Sequence, residues 1–450
     1  MSNRLTPTWY DDAKLGIFVH WGLYSVPGWA TRPGTLDEVP DRLGWRAWFR
    51  DNAYAEWYAN SLKIPGSPTA AHHRAVYGDA DYEAFVPAFN EAIRGWDPAE
   101  WAELFRRAGA GYVVLTTKHH DGFRLWPSRV PHPTLGDYQA GRDLVGELAD
   151  AVRGAGLRFG TYYSGGLDWS VNPRPIEDLP DLGATVIQDP AYVAYADAHW
   201  RELMDRYGTT ILWNDIAYPR HSDLEAIVET FYRQTPDGLV NDRFKDFAAD
   251  GTSTYLVPPD ILTPEYTSFA ETRIEKWEAN RGIGYSFGYN QAEDEANFIQ
   301  IDALINFFVD VVSKNGNMLL NVGPRADGSI QEGQILRLRA LGKWLGVNGE
   351  AIFGTRPWQA AEGTTDAGIP IRFTNKGEAL YAILLGQPKP GPLALQGLRA
   401  GPETTVVLLG VEAPLAVEQV GDAIRITVPD RLPVAPAYAL RIAPEPERVV

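Results

Sequence analysis

Eight short, nearly unbroken apolar runs recur along this chain of 450 residues, and few folds accommodate such a pattern. They are GIFVHWG (16–22), YVVLTTKHHDG (112–122), RFGTYYS (158–164), TTILWND (209–215), GLVNDRF (238–244), DILTPEY (260–266), RGIGYSFGYN (281–290) and GNMLLNVGP (316–324). A strand buried on both faces reads as a near-continuous apolar run. Helical patterns lie between most of them, at 98–108, 142–154, 190–207, 222–233, 294–313 and 332–347, with apolar residues three and four apart. Strand alternating with helix predicts parallel βα units, and eight of them predict a (β/α)8 TIM-like barrel. The pattern weakens after the fifth and sixth runs. Segments 245–259 and 267–280 are too polar or too short for full helices, so the barrel is expected to be distorted there. The connection 23–97 is long for one βα unit and has a helical reading over 43–62. Long loops on that side of a barrel build substrate pockets.

Around 350–360 the pattern changes. From Ile371 the runs IRFTNKGEALYAILLG, TTVVLLG, LAVEQVGDAIRITVP and AYALRIAP alternate or are β-rich, with Gly and Pro turns between them. They predict a C-terminal antiparallel β-sandwich. The expected division is a barrel over 1–352 and a sandwich over 353–450.

A formal net charge of −17 sets the chain against phosphate backbones and anionic membrane surfaces, which argues against nucleic-acid and membrane partners. The absence of cysteine removes disulfides, thiolate nucleophiles and cysteine-ligated zinc. The N-terminus has no apolar core of signal-peptide length and no run reaches membrane-spanning length, so a cytoplasmic location is expected. The acidic exterior leaves homo-oligomer formation through other faces open.

In such a barrel the active site lies at the C-terminal ends of the strands. His20, His119, His120, Tyr162, Tyr163, Asp215, Arg243 and Glu265 all fall at the ends of the runs. Asp215 ends the apolar ILWND, where a buried charge is costly unless used or paired. Glu265 follows two strands later. Two carboxyl groups over one mouth are what cleavage of a glycosidic bond requires, one ionised and one protonated, about 5–5.5 Å apart in a retaining enzyme and about 6.5–9.5 Å in an inverting one. KHHDGF (118–123) supplies imidazoles suited to hydroxyls, because a neutral ring both donates and accepts. A metal site is the rival reading. It is weakened because adjacent residues on a strand point to opposite faces and no HxxxH or HxH pair accompanies them. For the same reason only one of Tyr162 and Tyr163 is expected to face a pocket. His72 and His73 read as structural loop residues.

The motifs WYDDAKLGIFVHWGLYSVPGWA, YAEWYAN, LTTKHHDGFRLWPS, GTYYSGGLDW, LWNDIAYP, NDRF, TPEY, RGIGYSFGYN and VSKNGNMLLNVGPRADGSI, in this order from about residue 9 to 358, resemble the α-L-fucosidases of glycoside hydrolase family 29. The resemblance implies a distorted (β/α)8 barrel with a C-terminal β-sandwich, and a retaining exo-α-L-fucosidase that needs no metal or organic cofactor. It implies Asp215 as nucleophile and Glu265 as acid/base; in that pairing the neighbouring negative charge of Asp215 is expected to raise the pKa of Glu265. It implies sugar-binding roles for His20, Glu56, Trp57, His119, His120, Tyr162 and Arg243. Trp57 or Phe287 would meet the C5 methyl group. Gly28 and Trp29 depart from the family pattern at the pocket rim. The implied partner is a fucosylated oligosaccharide or glycoside. A hydrolase on another sugar of like configuration and a non-catalytic carbohydrate-binding barrel are the alternatives.

Overall fold

A computed structural model describes residues 4–247, 252–411 and 413–449. Seven parallel strands form its central sheet: β1 (Leu15–Val19), β2 (Tyr112–Lys118), β3 (Arg158–Ser164), β4 (Ile211–Asp215), β5 (Leu239–Val240), β6 (Trp277–Gly282) and β7 (Gly316–Val322). Their order is β5-β4-β3-β2-β1-β7-β6. The gap between β5 and β6 is closed by the run DILTPEY through three isolated parallel bridges, Asn241 to Ile261, Leu262 to Trp277 and Glu265 to Asn280. The sixth expected strand is therefore present only as bridges. Prolines 258, 259 and 264 remove donors that a regular ladder would need. The seventh strand begins earlier than expected. Trp277–Gly282 is the strand, and most of the 281–290 run is a loop over the barrel mouth. The polar Glu278, Asn280 and Arg281 concealed it.

The barrel interior is filled by side chains. Tyr10, Phe18, Tyr112, Val114, Tyr162, Ile211, Trp213, Leu239, Ile261 and Leu319 form one buried cluster. Outside it, the amphipathic helices Pro98–Arg107, Leu144–Gly154, Pro190–Tyr207, Leu224–Gln234, Ile301–Ser313 and Glu332–Asn348 bury their apolar faces against the strands. Asp143 and Asp189 cap two of them through side-chain bonds to backbone N–H groups. The helix expected over 294–313 starts only at Ile301, and residues 294–299 turn across the barrel top. After β5 a short hairpin, Lys245–Phe247 with Ser253–Tyr255, replaces an outer helix, while 248–251 lie outside the described residues. The helix expected over 43–62 is broken into Trp45–Arg50, the 3-10 turn Ala55–Trp57 and Tyr58–Ser61. Gly44 at φ 84° starts the first piece, and the Asn52 side chain accepts the Tyr54 N–H at 2.7 Å between them.

The C-terminal part has a five-stranded antiparallel sheet, in the order Arg356–Thr364, Pro370–Lys376, Ala379–Leu384, Tyr438–Ala443 and Thr405–Leu408. It shares a core with a three-stranded sheet of Gly391–Gln396, Ala423–Val428 and Val417–Val420. This assembly packs on the barrel through ion pairs Arg372–Asp310 (2.6 Å) and Lys314–Glu362 (2.8 Å), and through Trp344 Nε1 donating to Ala437 O (2.9 Å).

Gly323, just after β7, shows how closely the mouth loop is seated. A Cβ there would stand 2.6 Å from the backbone of Phe287, Gly288 and Tyr289, and backbone cannot rotate away. Gly323→Ala is expected to lower unfolding free energy by about 1–3 kcal/mol, the usual cost of overpacking. Denaturant unfolding checks this, and an unchanged midpoint would contradict it.

Candidate active site

β4 presents Trp213 and Asp215 on its inward face, because alternate residues of a strand share a face. The chain then turns through Ile216 and Ala217 at φ 43° and 66°. Tyr266, next to Glu265, lies at φ 53°. Non-glycine residues seldom occupy this left-handed region, least of all β-branched ones, and such strain gathers at functional sites. Ile216 N donates to Asp215 Oδ1 at 3.0 Å and fixes that carboxylate to the turn.

The two carboxylates meet at Arg243. Its Nη1 is 2.7 Å from Asp215 Oδ1 and its Nη2 is 3.2 Å from Glu265 Oε2. Thr263 Oγ1 and Thr263 O accept from Nε and Nη2, each at 3.1 Å, and the guanidinium lies 4.6 Å from the centre of the Trp213 ring. The carboxyls are thus no further apart than one guanidinium and two hydrogen bonds. Tyr162 donates its hydroxyl to Asp215 Oδ2 at 2.8 Å, and Tyr54 donates to Glu265 Oε1 at 2.7 Å.

Their surroundings push the two acids in opposite directions. Burial alone would raise the Asp215 carboxyl, but the Arg243 guanidinium, through its charge and its hydrogen bond, and the Tyr162 hydroxyl hold it below its ordinary value. Glu265 is held above its ordinary value by burial first and by the charge of Asp215 second, against the pull of Arg243 and Tyr54. Burial therefore does more than the neighbouring charge expected from the sequence.

The histidines are neutral and their tautomers follow from their partners. Asn321 Nδ2 donates to Phe287 O at 2.6 Å, so its Oδ1 accepts from His20 Nδ1 at 2.7 Å and His20 Nε2 carries a lone pair. Ser164 gives its hydroxyl proton to Leu167 O at 2.6 Å, so it accepts from His120 Nδ1 at 2.6 Å. His120 Nε2, 3.5 Å from Asp215 Oδ2, is then an acceptor too. Burial pushes His20 down to about 3 and His120 to about 4, and takes His119 well below its ordinary value. His119 stacks on Tyr162 at 5.6 Å with planes 5° apart, and its buried Nδ1 has no partner among the described residues. Glu56 accepts from Gly288 N (2.7 Å) and Ser286 Oγ (3.2 Å), and burial raises it to about 7.

His20, Tyr54, Glu56, His119, His120, Tyr162, Trp213, Asp215, Arg243 and Glu265, with Trp57 edge-on to His120 at 5.4 Å, surround one cavity of about 200 Å³. That is below the roughly 300 Å³ at which drug-sized pockets begin, and it suits a single sugar ring. Phe287 forms an apolar wall against His20 (5.0 Å) and Tyr54 (5.4 Å). His119 and His120 both enter this cavity, contrary to the alternation expected of a strand. β2 ends at Lys118, so both lie on the turn beyond, their rings 4.1 Å apart. Lys118 and Asp121 turn away. Lys118 pairs with Asp168 at 2.9 Å, both fully buried, and Asp121 accepts from Tyr82 OH at 2.8 Å. Among the described residues no group of three His, Asp or Glu is placed to hold a metal ion. Tyr163 points outward to His199 Nδ1 at 3.0 Å. His73 is in the helix Pro68–Tyr77 rather than a loop, bonded to Tyr58 OH (3.0 Å) and Ala80 O (2.8 Å). His72 stacks on Trp29 at 4.2 Å.

The α-L-fucosidase family profile matches residues 1–350, and the profile of the α-L-fucosidase C-terminal domain matches 366–443. The α-L-fucosidase of Branchiostoma floridae is 33% identical over 98% of the chain and 94% of its own length. Human tissue α-L-fucosidase is 32% identical over 92% and 83%. The crystal structure of Thermotoga maritima α-fucosidase in complex with a mechanism-based inhibitor is 42% identical and superposes with a TM-score of 0.87, covering 97% of this chain and 96% of that one. The complex of the same enzyme with fucose gives 0.86, at 42% identity and 97% of each chain.

Sequence reasoning missed Tyr54, Trp213 and Glu278. Trp213 was findable, since it lies two residues before Asp215 on one strand face. Glu278 is fully buried inside the barrel, beneath the cavity. It accepts from Tyr10 OH (2.7 Å), Tyr112 OH (2.5 Å) and Trp213 Nε1 (3.1 Å). Through Trp213 it supports the plate on which Arg243 rests. Glu278→Gln keeps the shape but removes the charge and one acceptor. It is expected to cost about 1–3 kcal/mol of stability and to lower kcat. Wild-type unfolding and wild-type kcat together would contradict this.

Proposed function

The chain belongs to the α-L-fucosidase family and is a glycoside hydrolase, and from that premise we propose that it removes terminal α-L-fucosyl residues by double displacement with retention. Asp215 attacks the anomeric carbon as the bond to the leaving oxygen breaks, and Glu265 gives that oxygen its proton. A covalent fucosyl-enzyme results. Glu265, now a carboxylate, takes a proton from water, whose oxygen attacks the same carbon and releases Asp215. The observation that carries this reading is a pair of carboxyls on one guanidinium with opposite displacements of pKa. Unperturbed Asp and Glu titrate within about half a unit of each other, which would leave almost no pH at which one is ionised and the other protonated. Separating them opens that window. The similar Thermotoga enzyme binds fucose and a mechanism-based inhibitor, which agrees with a sugar of this configuration and a reactive nucleophile.

In this reading His20, His119, His120 and Glu56 bond the sugar hydroxyls, and Phe287 and Trp57 receive the C5 methyl group. The imidazole lone pairs accept hydroxyl protons, and Arg243 and Tyr162 keep the nucleophile ionised and aimed. Catalysis falls to residues 1–352, whose side chains supply the whole cavity lining, and 353–450 braces the barrel.

Two experiments test the assignment. Asp215→Gly should lose nearly all hydrolysis of aryl α-L-fucosides while remaining folded. Azide should restore turnover and give the β-configured azide, because the anion occupies the vacated space. A folded variant of near-normal activity would contradict the role of Asp215. Glu265→Ala should slow natural fucosides by about 10²–10⁴-fold, and aryl fucosides with good leaving groups far less. For kcat/KM, the acidic limb belongs to Asp215, below its ordinary value, and the alkaline limb to Glu265, above its own. Rising pH removes the proton Glu265 must donate, so the variant should lose the alkaline limb. Equal damage to both substrate types with an intact alkaline limb would contradict the role of Glu265.

A further inference from the structure

Glu265 is held through both of its oxygens. Oε2 accepts from Arg243 Nη2 at 3.2 Å, and Oε1 accepts from the Tyr54 hydroxyl at 2.7 Å. The Arg243 contact is the looser one, and Nη1 of the same guanidinium holds Asp215 Oδ1. Tyr54 comes from the long connection after β1, just before the 3-10 turn Ala55–Trp57. Its place there does not depend on its hydroxyl. Asn52 Oδ1 accepts the Tyr54 N–H at 2.7 Å, and Ser286 Oγ accepts the Ala55 N–H at 2.9 Å. The ring stands edge-on to Trp48 at 5.0 Å and to Phe287 at 5.4 Å. Backbone and ring are thus fixed by other groups, and the buried hydroxyl has Glu265 as its one partner among the described residues.

This bonding decides where the proton of Glu265 sits. Burial first, and the charge of Glu265 second, hold the Tyr54 hydroxyl well above its ordinary value, so it keeps its hydrogen. A proton on Oε1 would turn that hydroxyl into an acceptor and leave its own hydrogen unpaired in a buried place, which is costly. A proton on Oε2 leaves the Tyr54 bond intact. When Oε2 gives its proton to the leaving oxygen, the electron pair of the broken C–O bond stays on that oxygen and Glu265 becomes a carboxylate. The Tyr54 bond then strengthens, because its acceptor has gained charge. The other charged and titratable groups around Glu265 do not supply this. Arg243 is shared with Asp215, and the charges of Asp215 and Glu56 oppose ionisation of Glu265. Tyr266 turns its hydroxyl away, to Tyr285 O at 2.9 Å.

We propose that Tyr54 is a positioning residue for the proton transfer: it holds Oε1 of Glu265, so that the catalytic proton is carried on Oε2, the oxygen that shares a guanidinium with the nucleophile. The assignment rests on the acid/base reading of Glu265 above. Its test is Tyr54→Phe, which keeps the ring, assayed on a fucosyl-lactose and on an aryl α-L-fucoside with a good leaving group. The hydroxyl favours the ionised form of Glu265, so its loss should move the alkaline limb of kcat/KM up by about one pH unit. kcat/KM for the fucosyl-lactose should fall about tenfold, the worth of one hydrogen bond to a charged group. The aryl fucoside needs little protonation and should stay within about twofold of wild type, which also shows the variant to be folded. In a Glu265→Ala background Tyr54→Phe should cost nothing further, because its partner is gone. An alkaline limb at its wild-type position, or a further tenfold loss in the Glu265→Ala background, would overturn the role of Tyr54. If Glu265→Ala alone kept the alkaline limb, the acid/base reading itself would fall, and that outcome is read without Tyr54→Phe.

Discussion

The site depends on one guanidinium. Arg243 touches both catalytic-side carboxylates, and without it two acids in a buried cavity would each be driven toward the neutral form. Its bonding is uneven. It holds Asp215 at 2.7 Å and Glu265 at 3.2 Å, and Asp215 also accepts from Tyr162 and from the backbone of Ile216. That asymmetry leaves one carboxyl displaced downward and the other upward. Placing Arg243 requires much of the barrel. Trp213 lies beneath it, Glu278 holds the indole of Trp213, and Tyr10 and Tyr112 hold Glu278. This is a column of satisfied polar and aromatic contacts running from the barrel floor to the reacting centre.

The surrounding histidines serve by staying uncharged. His20 and His120 each commit Nδ1–H to a neutral acceptor that is itself fixed by a second bond, which leaves Nε2 as an acceptor. Protonated imidazoles would compete with Arg243 for Asp215 and weaken it in the nucleophilic role proposed for it. Burial prevents that across the working pH range, so neither imidazole should contribute a limb to the pH profile.

Much of this arrangement was legible before any coordinates. Buried parallel strands announce themselves as apolar runs, and the run ends place Asp215, Glu265, His20, His119, His120, Tyr162 and Arg243 at one barrel mouth. Glu56 and Trp57 came only through resemblance, since nothing in the periodicity of a long broken loop marks them. β6 was illegible for a physical reason. Its inward face carries Glu278 and Asn280, polar groups satisfied by partners distant in sequence, so its pattern is that of an exposed segment. The same holds for the turns after Asp215 and Glu265, where Ile216 and Tyr266 adopt backbone conformations that no propensity favours. The alternation rule fails at the neighbouring histidines because they lie one and two residues past the end of β2, on the turn.

The central claim is that Asp215 becomes covalently bonded to the sugar. The most direct test is inactivation with a 2-deoxy-2-fluoro-fucosyl fluoride, followed by peptide mass spectrometry. The fluorine slows breakdown of the intermediate, so one fluorofucosyl unit should be found on the peptide ending β4, on Asp215. A label on Glu265, or inactivation with no covalent label, would contradict the account.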